Sequence, residues 1–505
     1  MSEDILAKIV RMRREDIERL GLNFGIEIPE KREVGHTEFL GNAGAILEVK
    51  RASPSKGDIA PDLDPVGLAT TYAEAHAQAV SVLTETNFFK GMLRDLIAVA
   101  NLMESRRKQG LHACAVLRKD FLLFEDEIDI AYRCGADAVL LIARILDDEQ
   151  LVRMAKRAAS FDMQAFVEVR ETDDLRKLKV VTDALGDAAA KTIVAGVNSR
   201  DLATFHTDPL VPASVRSKLP AKAVFESGIL CPADATYARN LGFTGILVGE
   251  AVAKNPPLAK EVVHAFESGS ENARGKFWKK FAERKAAKKA GPLVKICGIT
   301  RDEDGKLAAE LGADMLGFVF SITKRLTTEE FVRSFAEKMR LCHPEQAQRV
   351  KGSPLLVGVI TDPESVEGKT AIKLAKEGVL DAVQFHGVAP GAEFSDLPHY
   401  GAARVGEESD FDKVTALRKS GEPRILLDAK VEGIPGGTGK TIPENLLREK
   451  AGDLPLWLAG GITPENVGAI VEKFHPELVD VSSGVEDAPG IKNSEKLKVL
   501  FAALS

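Results

Sequence analysis

Charged residues that end short apolar runs stand where strands give way to loops, and this chain has many of them. In the first half, Ile46-Leu47 runs into Glu48-Val49-Lys50-Arg51-Ala52-Ser53-Pro54-Ser55, and Val116-Leu117 into Arg118-Lys119-Asp120. Phe166-Val167 runs into Glu168, Gly196-Val197 into Asn198-Ser199-Arg200, and Val224-Phe225 into Glu226-Ser227-Gly228. Lys50, Lys119, Glu48, Glu168 and Glu226 on one rim would shift each other's pKa values, letting an acid and a base coexist near neutral pH. One such residue alone reads as a rim salt bridge; five strand ends together point to a catalytic mouth. In the second half, Val294-Lys295-Ile296-Cys297-Gly298 places a thiol at a strand end and Ile425-Leu426-Leu427-Asp428 a carboxylate. Burial is the usual fate of a cysteine, and Cys114 and Cys134 fit it. Cys297, at a mouth beside basic groups, is expected to have a lowered pKa and to serve as a base.

Both halves also carry a phosphate-gripping plan. Phe225-Glu226-Ser227-Gly228 is followed by a helix-like stretch and by Leu247-Val248-Gly249-Glu250, and Leu458-Ala459-Gly460-Gly461 by the same stretch and Asp480-Val481-Ser482-Ser483. Gly228 and Gly249 are 21 positions apart, as are Gly461 and Ser482. A strand ending in glycine, a helix and a strand ending in small residues let backbone N–H groups close on an anion. In a (β/α)8 barrel this is the role of the loops after strands seven and eight.

The elements that must position these groups are short Val/Ile/Leu-rich runs separated by helical patterns. The runs predict strands over 45–50, 79–84, 111–117, 137–142, 163–168, 193–197, 222–226 and 245–248, then over 293–297, 314–320, 355–361, 381–385, 400–405, 424–428, 454–459 and 478–482. The fold class is therefore α/β, two (β/α)8 TIM barrels in tandem over 1–265 and 293–505. Between them, 266–292 reads as a basic helical linker with Phe277 and Phe281 one turn apart, laying its aromatic stripe on a barrel. The stretch 180–192 reads as a surface insertion.

The 505 residues suit two domains of about 250, a common barrel size. With 68 basic against 75 acidic residues, the net charge of −7 argues against nucleic acid as the main partner. The five cysteines have no zinc or redox spacing. Neither a signal-peptide core nor an apolar run of about 20 residues is present. We expect a cytoplasmic protein with no membrane partner, with small anionic ligands held in locally basic pockets, and a monomer, since two domains in one chain can do without a dimer.

The runs at Glu48–Gly57 and Arg118–Phe121, with Glu168, Asn198 and Glu226, resemble indole-3-glycerol phosphate synthase over residues 1–265. The resemblance implies indole ring closure from carboxyphenylamino-deoxyribulose phosphate, with loss of carbon dioxide and water. Lys119 would be the general acid on the ketone oxygen, and Glu168 a general base or acid in the dehydration. Lys50 would hold the carboxylate or phosphate, and Glu48, Asn198 and Glu226 would orient these groups. Ser53, Ser227, Gly228, Gly249 and Glu250 would grip the phosphate, the last through its N–H, and Arg200 would meet the anthranilate carboxylate.

Cys297, Gln384-Phe385-His386-Gly387, Asp428, Gly460-Gly461 and Asp480 to Glu486 resemble phosphoribosylanthranilate isomerase over 293–505. This implies an Amadori rearrangement without metal or cofactor: Asp428 protonates the ribose ring oxygen and Cys297 removes the proton from the adjacent carbon. Gly460, Gly461, Asp480, Ser482 and Ser483 fall where that family holds phosphate, and Arg325 where it engages the anthranilate end. His386 would orient substrate. The partners implied are small phosphorylated anthranilate-derived substrates, the second barrel acting first. Two other readings stay open: one active barrel with the other a scaffold, or Lys119 as a Schiff-base nucleophile. Arg118 and Asp120 beside that lysine weigh against the second.

Overall fold

The computed structural model describes residues 4–41, 43–54, 56–201, 204–341, 353–430, 442–450 and 455–504. Ser55, Cys342 and the glycine-rich run 433–440 lie outside the described residues. The chain divides into two compact units, Met1–Glu271 and Asn272–Ser505. Each is built round a closed barrel of parallel strands in sequential order.

The first barrel comprises Gly44–Val49, Ala79–Leu83, Ala115–Lys119, Ala138–Ile142, Gln164–Val169, Ile193–Asn198, Ala223–Glu226 and Gly245–Val248. The second comprises Leu293–Cys297, Met315–Val319, Leu355–Ile360, Ala382–His386, His399–Val405, Ile425–Ala429, Trp457–Ala459 and Leu478–Val481. Closure is direct: Gly44 pairs with Gly245 and Ile46 with Ala79, while Leu293 pairs with Leu478 and Lys295 with Met315. Continuous apolar runs suit these strands because barrel interior and helical shell bury both faces.

Each expected strand is present, but the third is displaced, from 111–117 to Ala115–Lys119. Leu111 is 50% exposed and pairs with nothing in the sheet, whereas Arg118 is 0% exposed. Arg118 completes the strand because it donates to Glu127 O at 2.9 Å and pairs with Asp120 at 3.3 Å. Charge compensation, invisible to a hydrophobic pattern, extends the strand through two basic residues. The stretch 180–192 finishes the helix Thr172–Leu185 and adds a turn, Ala189–Thr192, with Val181 and Ala189 buried and most of its other residues exposed.

A leading helix, Ile5–Leu20, is N-capped by Asp4, whose side chain accepts from Leu6 N at 3.3 Å. Its Leu6 and Ile9 join Phe39, Ile46, Phe166 and Val224 in one core cluster of the first unit. Its Arg13 is buried and donates to Asp120 at 2.6 Å. No helix among the described residues is long and apolar enough to cross a membrane.

The basic segment between the halves forms the helix Ala273–Ala287, which belongs to the second unit. Asn272 caps it through Gly275 N at 3.1 Å. Trp278 and Phe281 meet Trp457 at ring-centroid distances of 6.1 and 4.7 Å, and Phe277 meets Tyr400 at 6.3 Å. Its cations reach acidic residues that precede strands: Arg274–Glu422 2.9 Å, Lys280–Asp381 3.1 Å, Lys285–Glu477 2.5 Å and Lys288–Asp314 2.9 Å. The helix thus seals the end of the second barrel opposite the strand C-termini. Trp278→Ala should cost about 3–5 kcal/mol, as expected for emptying a buried aromatic site. A thermal melt followed by tryptophan fluorescence of the second unit checks this; an unchanged midpoint would show the helix to be dispensable.

Candidate active sites

At the C-terminal mouth of the first barrel, Glu48, Lys50, Ser53, Lys119, Glu168, Asn198, Arg200, Ser227, Gly228, Gly249 and Glu250 line one cavity. Glu226 reaches it through Lys119. Lys119 Nζ lies 3.1 Å from Glu226 and 3.3 Å from Glu48, and Lys50 Nζ 3.0 Å from the other oxygen of Glu48. Glu168 accepts from the Asn198 amide at 3.5 Å. The walls are apolar: Leu6 and Ile9 from the leading helix, with Phe89, Phe121, Ile142 and Leu247.

Opposed carboxylates and ammoniums in a dry slot acquire different characters. Burial alone would lift the Glu48 carboxyl, but Lys50 and Lys119 outweigh it and hold it at about 2. Burial would pull Lys119 down, yet Glu48, Glu226 and Glu168 raise it above its ordinary value, so it remains an ammonium. Glu168 has less help. Burial, reinforced by Glu226, pushes it up to about 8, against the pull of Lys119 and the Asn198 amide. The mouth therefore holds a constant proton donor beside a carboxyl that titrates near neutrality.

On the rim, Ser53 presents a buried hydroxyl with no hydrogen-bond partner among the described residues. Ser227 has φ of +65°, and its carbonyl accepts from Ser199 Oγ at 2.9 Å. The Glu250 carboxylate turns to Lys254 at 2.8 Å and Arg200 at 3.9 Å. The turn Gly249-Glu250 opens a short helix whose first N–H groups have no intrahelical acceptor.

At the mouth of the second barrel, Cys297, Arg325, His386, Asp428, Gly460, Gly461, Asp480, Ser482 and Ser483 line one cavity, joined by Gln384 and Arg404. Asp428 Oδ2 lies 3.3 Å from His386 Nε2, and Asp480 2.5 Å from Lys295 Nζ. Arg325 grips Glu486 through two nitrogens, at 2.9 and 2.7 Å. Glu486 also takes Lys492 Nζ at 2.8 Å, and this buried ammonium bridges to the carbonyl of Cys297 at 2.5 Å and of Ser482 at 3.2 Å. The short hairpin Glu486–Ala488 with Ile491–Lys492 thereby ties the loop after strand eight to the end of strand one.

The expected lowering of the Cys297 pKa is not found. Burial pushes the thiol up, and Lys295 and Lys492 offset this only in part, because Asp480 opposes them. Phosphate-binding dipoles and basic groups at the mouth argue for a lower value, but desolvation of the thiolate outweighs them.

Several contributors escaped the sequence reading. Leu6, Ile9 and Phe89 carry no chemical signature, and Phe89 stands under the Lys50 ammonium at 5.5 Å. Gly196 pairs with Glu168 and Gly317 with Cys297. A Cβ on Gly196 would meet Glu226 Oε1 at 2.3 Å, and one on Gly317 would meet Cys297 Sγ at 2.7 Å. Glu226 and Cys297 each therefore need a residue without a side chain on the neighbouring strand, which only the register reveals. Cys114 and Cys134 are buried free thiols, as expected.

The family described as "Indole-3-glycerol phosphate synthase" matches residues 7–265. The family described as "N-(5'phosphoribosyl)anthranilate (PRA) isomerase" matches residues 294–503. A multifunctional tryptophan biosynthesis protein of Schizosaccharomyces pombe is 33% identical over 485 residues, covering 91% of this chain and 59% of that protein. The chain thus spans about six-tenths of that relative's length. A tryptophan biosynthesis protein of Phytophthora nicotianae is 30% identical over 554 residues, 99% of this chain and 96% of that protein. An indole-3-glycerol phosphate synthase of Roseiflexus sp. is 40% identical over 221 residues, 43% of this chain and 78% of that protein. Two matched families, each laid over one barrel and its mouth, mean that the chain belongs to the indole-3-glycerol phosphate synthase family in its first half and to the phosphoribosylanthranilate isomerase family in its second.

Proposed function

We propose that the chain carries out two successive steps of tryptophan biosynthesis. The second barrel isomerises phosphoribosylanthranilate to carboxyphenylamino-deoxyribulose phosphate. The first barrel closes that product to indole-3-glycerol phosphate, releasing carbon dioxide and water. Both substrates carry one phosphate, which the loops after strands seven and eight of each barrel hold through backbone N–H groups.

In the isomerisation, Asp428 delivers a proton to the ribose ring oxygen as the ring opens, and Cys297 takes the proton from the adjacent carbon. The resulting enolamine tautomerises to the ketone. Arg325, already a planar fork on a carboxylate, is the group to meet the anthranilate carboxylate. In ring closure, Lys119 donates to the ketone oxygen as the aromatic carbon attacks, carbon dioxide leaves, and Glu168 handles the proton of the final dehydration. Lys50 and Arg200 hold the anionic ends, while Glu48 and Glu226 keep Lys119 aimed and charged.

The observation that carries this reading is the first mouth, where one ammonium is held charged by two carboxylates beside a carboxyl poised at about 8. A single purified preparation should consume phosphoribosylanthranilate and accumulate indole-3-glycerol phosphate. Accumulation of the open-chain intermediate alone would reduce the first barrel to a binding module.

A further inference from the structure

The second barrel encloses a lysine that the reaction just described does not use. Lys295 is 0% exposed and stands two residues before Cys297 on the same strand, so both side chains leave the same face. Its ammonium meets Asp480 Oδ2 at 2.5 Å and Gln384 Oε1 at 2.9 Å, and its charge favours the thiolate of Cys297, the next residue along that face. A buried cation costs too much to be kept for packing alone. Asp480 accounts for one charge, yet its second oxygen has no partner among the described residues.

The contact with Gln384 has a longer reach. The Gln384 oxygen accepts from both Lys295 and the Tyr400 hydroxyl, each at 2.9 Å, so its NH2 end is the one turned to His386 Nδ1 at 3.0 Å. An amide that donates to Nδ1 requires the lone pair there, which leaves the ring hydrogen on Nε2. Two groups compete for that nitrogen, Asp428 Oδ2 and Arg404 Nε, each at 3.3 Å. With hydrogen on Nε2, the Asp428 contact becomes the hydrogen bond.

We propose that Lys295 is a positioning residue for the isomerisation: one buried ammonium that sits beneath Cys297 and, through Gln384, fixes the His386 tautomer that faces Asp428. It joins the base and the acid of the reaction without touching substrate. This rests on the isomerase reading of the second site. The groups facing Cys297 are Lys295 on its own strand, Asp480 on strand eight, Tyr400 on strand five, Lys492 from the hairpin and Arg325 from the loop after strand two. Lys492 is anchored on Glu486 and on carbonyls, so Lys295 is the cation that opposes Asp480 within the barrel.

The test is the pH dependence of Cys297 alkylation by iodoacetamide in the full chain, read by peptide mass spectrometry, beside the pH profile of isomerisation. Lys295→Met should move the alkylation midpoint up by about one unit or more, a tenfold loss of thiolate at fixed pH, with isomerisation recovering in part at alkaline pH. Lys295→Arg should keep the wild-type midpoint. Gln384→Met should leave alkylation unchanged while slowing isomerisation at every pH. A folded Lys295→Met chain with the wild-type alkylation curve overturns the proposal, as does an alkylation shift in Gln384→Met equal to that of Lys295→Met. If Lys295→Met does not fold, Lys295→Arg decides: an unmoved midpoint supports the proposal and a moved one overturns it. Alkylation needs no substrate, so a wild-type chain without isomerase activity would refute the functional reading and leave this test intact.

Discussion

Replacing Lys119 with Met should abolish ring closure and leave isomerisation at its wild-type rate. A positioned general acid contributes about 10²–10⁴-fold, and Lys119 is the ammonium held between Glu48 and Glu226 at 3.3 and 3.1 Å. Methionine keeps much of the volume and removes the proton, so the loss should fall on kcat rather than on KM. Lys119→Arg should not rescue, because a planar fork cannot occupy the point between two carboxylates that an ammonium fills. The mirror pair, Cys297→Ser with Asp428→Asn, should stop isomerisation and leave ring closure of supplied intermediate intact. Assays of both half-reactions on each variant check this. Loss of both activities in the Lys119 variant, with an unaltered melt of the second barrel, would sink the division of labour between the two mouths.

The substitution also separates charge from packing. Removing Lys119 takes from Glu226 the ammonium 3.1 Å away and leaves Glu48 with Lys50. Breaking a buried pair from one side usually costs about 3–5 kcal/mol. Here Glu226, already raised by burial, can take up a proton instead. The folded variant should therefore survive at neutral pH and weaken as pH rises.

The sixteen barrel strands were legible because their sequence signal and physical cause coincide: a strand buried on both faces must be apolar throughout. The mouth positions of most candidate site residues were legible for a related reason, since charge is tolerated where such a run ends. What stayed hidden depends on neighbours distant in sequence. Arg118 and Lys119 lie inside strand three because Asp120, Glu127, Glu48 and Glu226 compensate them. Gly196 and Gly317 matter through register alone. The raised pKa of Cys297 was not legible because position along the chain says where a thiol stands and nothing about the balance of desolvation and charge around it. Trp278 belongs to the same class: an aromatic stripe was visible, but its fit against Trp457 and Tyr400 was not.

Glu168→Gln should stabilise the first barrel at alkaline pH while it disables ring closure. A carboxyl whose folded-state pKa lies above its unfolded value acts in reverse to an ion-paired one. Below about 4.3, the ordinary glutamate value, the group is protonated in both states and its stabilising share is fully present. As pH climbs toward about 8, the unfolded chain ionises while the buried Glu168 resists, and that share is withdrawn. Above 8 both states are ionised, and the loss is complete. A shift of this size corresponds to something on the order of 5 kcal/mol. Glutamine keeps the shape and the contact with Asn198 but cannot ionise, so its melting midpoint should match the wild type near pH 4 and exceed it increasingly up to pH 8. Glu48 provides the internal contrast. Held at about 2 by Lys50 and Lys119, it contributes stability at neutral pH that is lost on acidification from the ordinary glutamate range down through that value. Melting curves of the wild type and of Glu168→Gln from pH 4 to 9 distinguish the two. Parallel curves would mean that Glu168 is an ordinary ionised glutamate, and the proton it is assigned in the dehydration would need another carrier. A widening gap with ring closure lost would show that the carboxyl which weakens the folded barrel is the one the reaction requires.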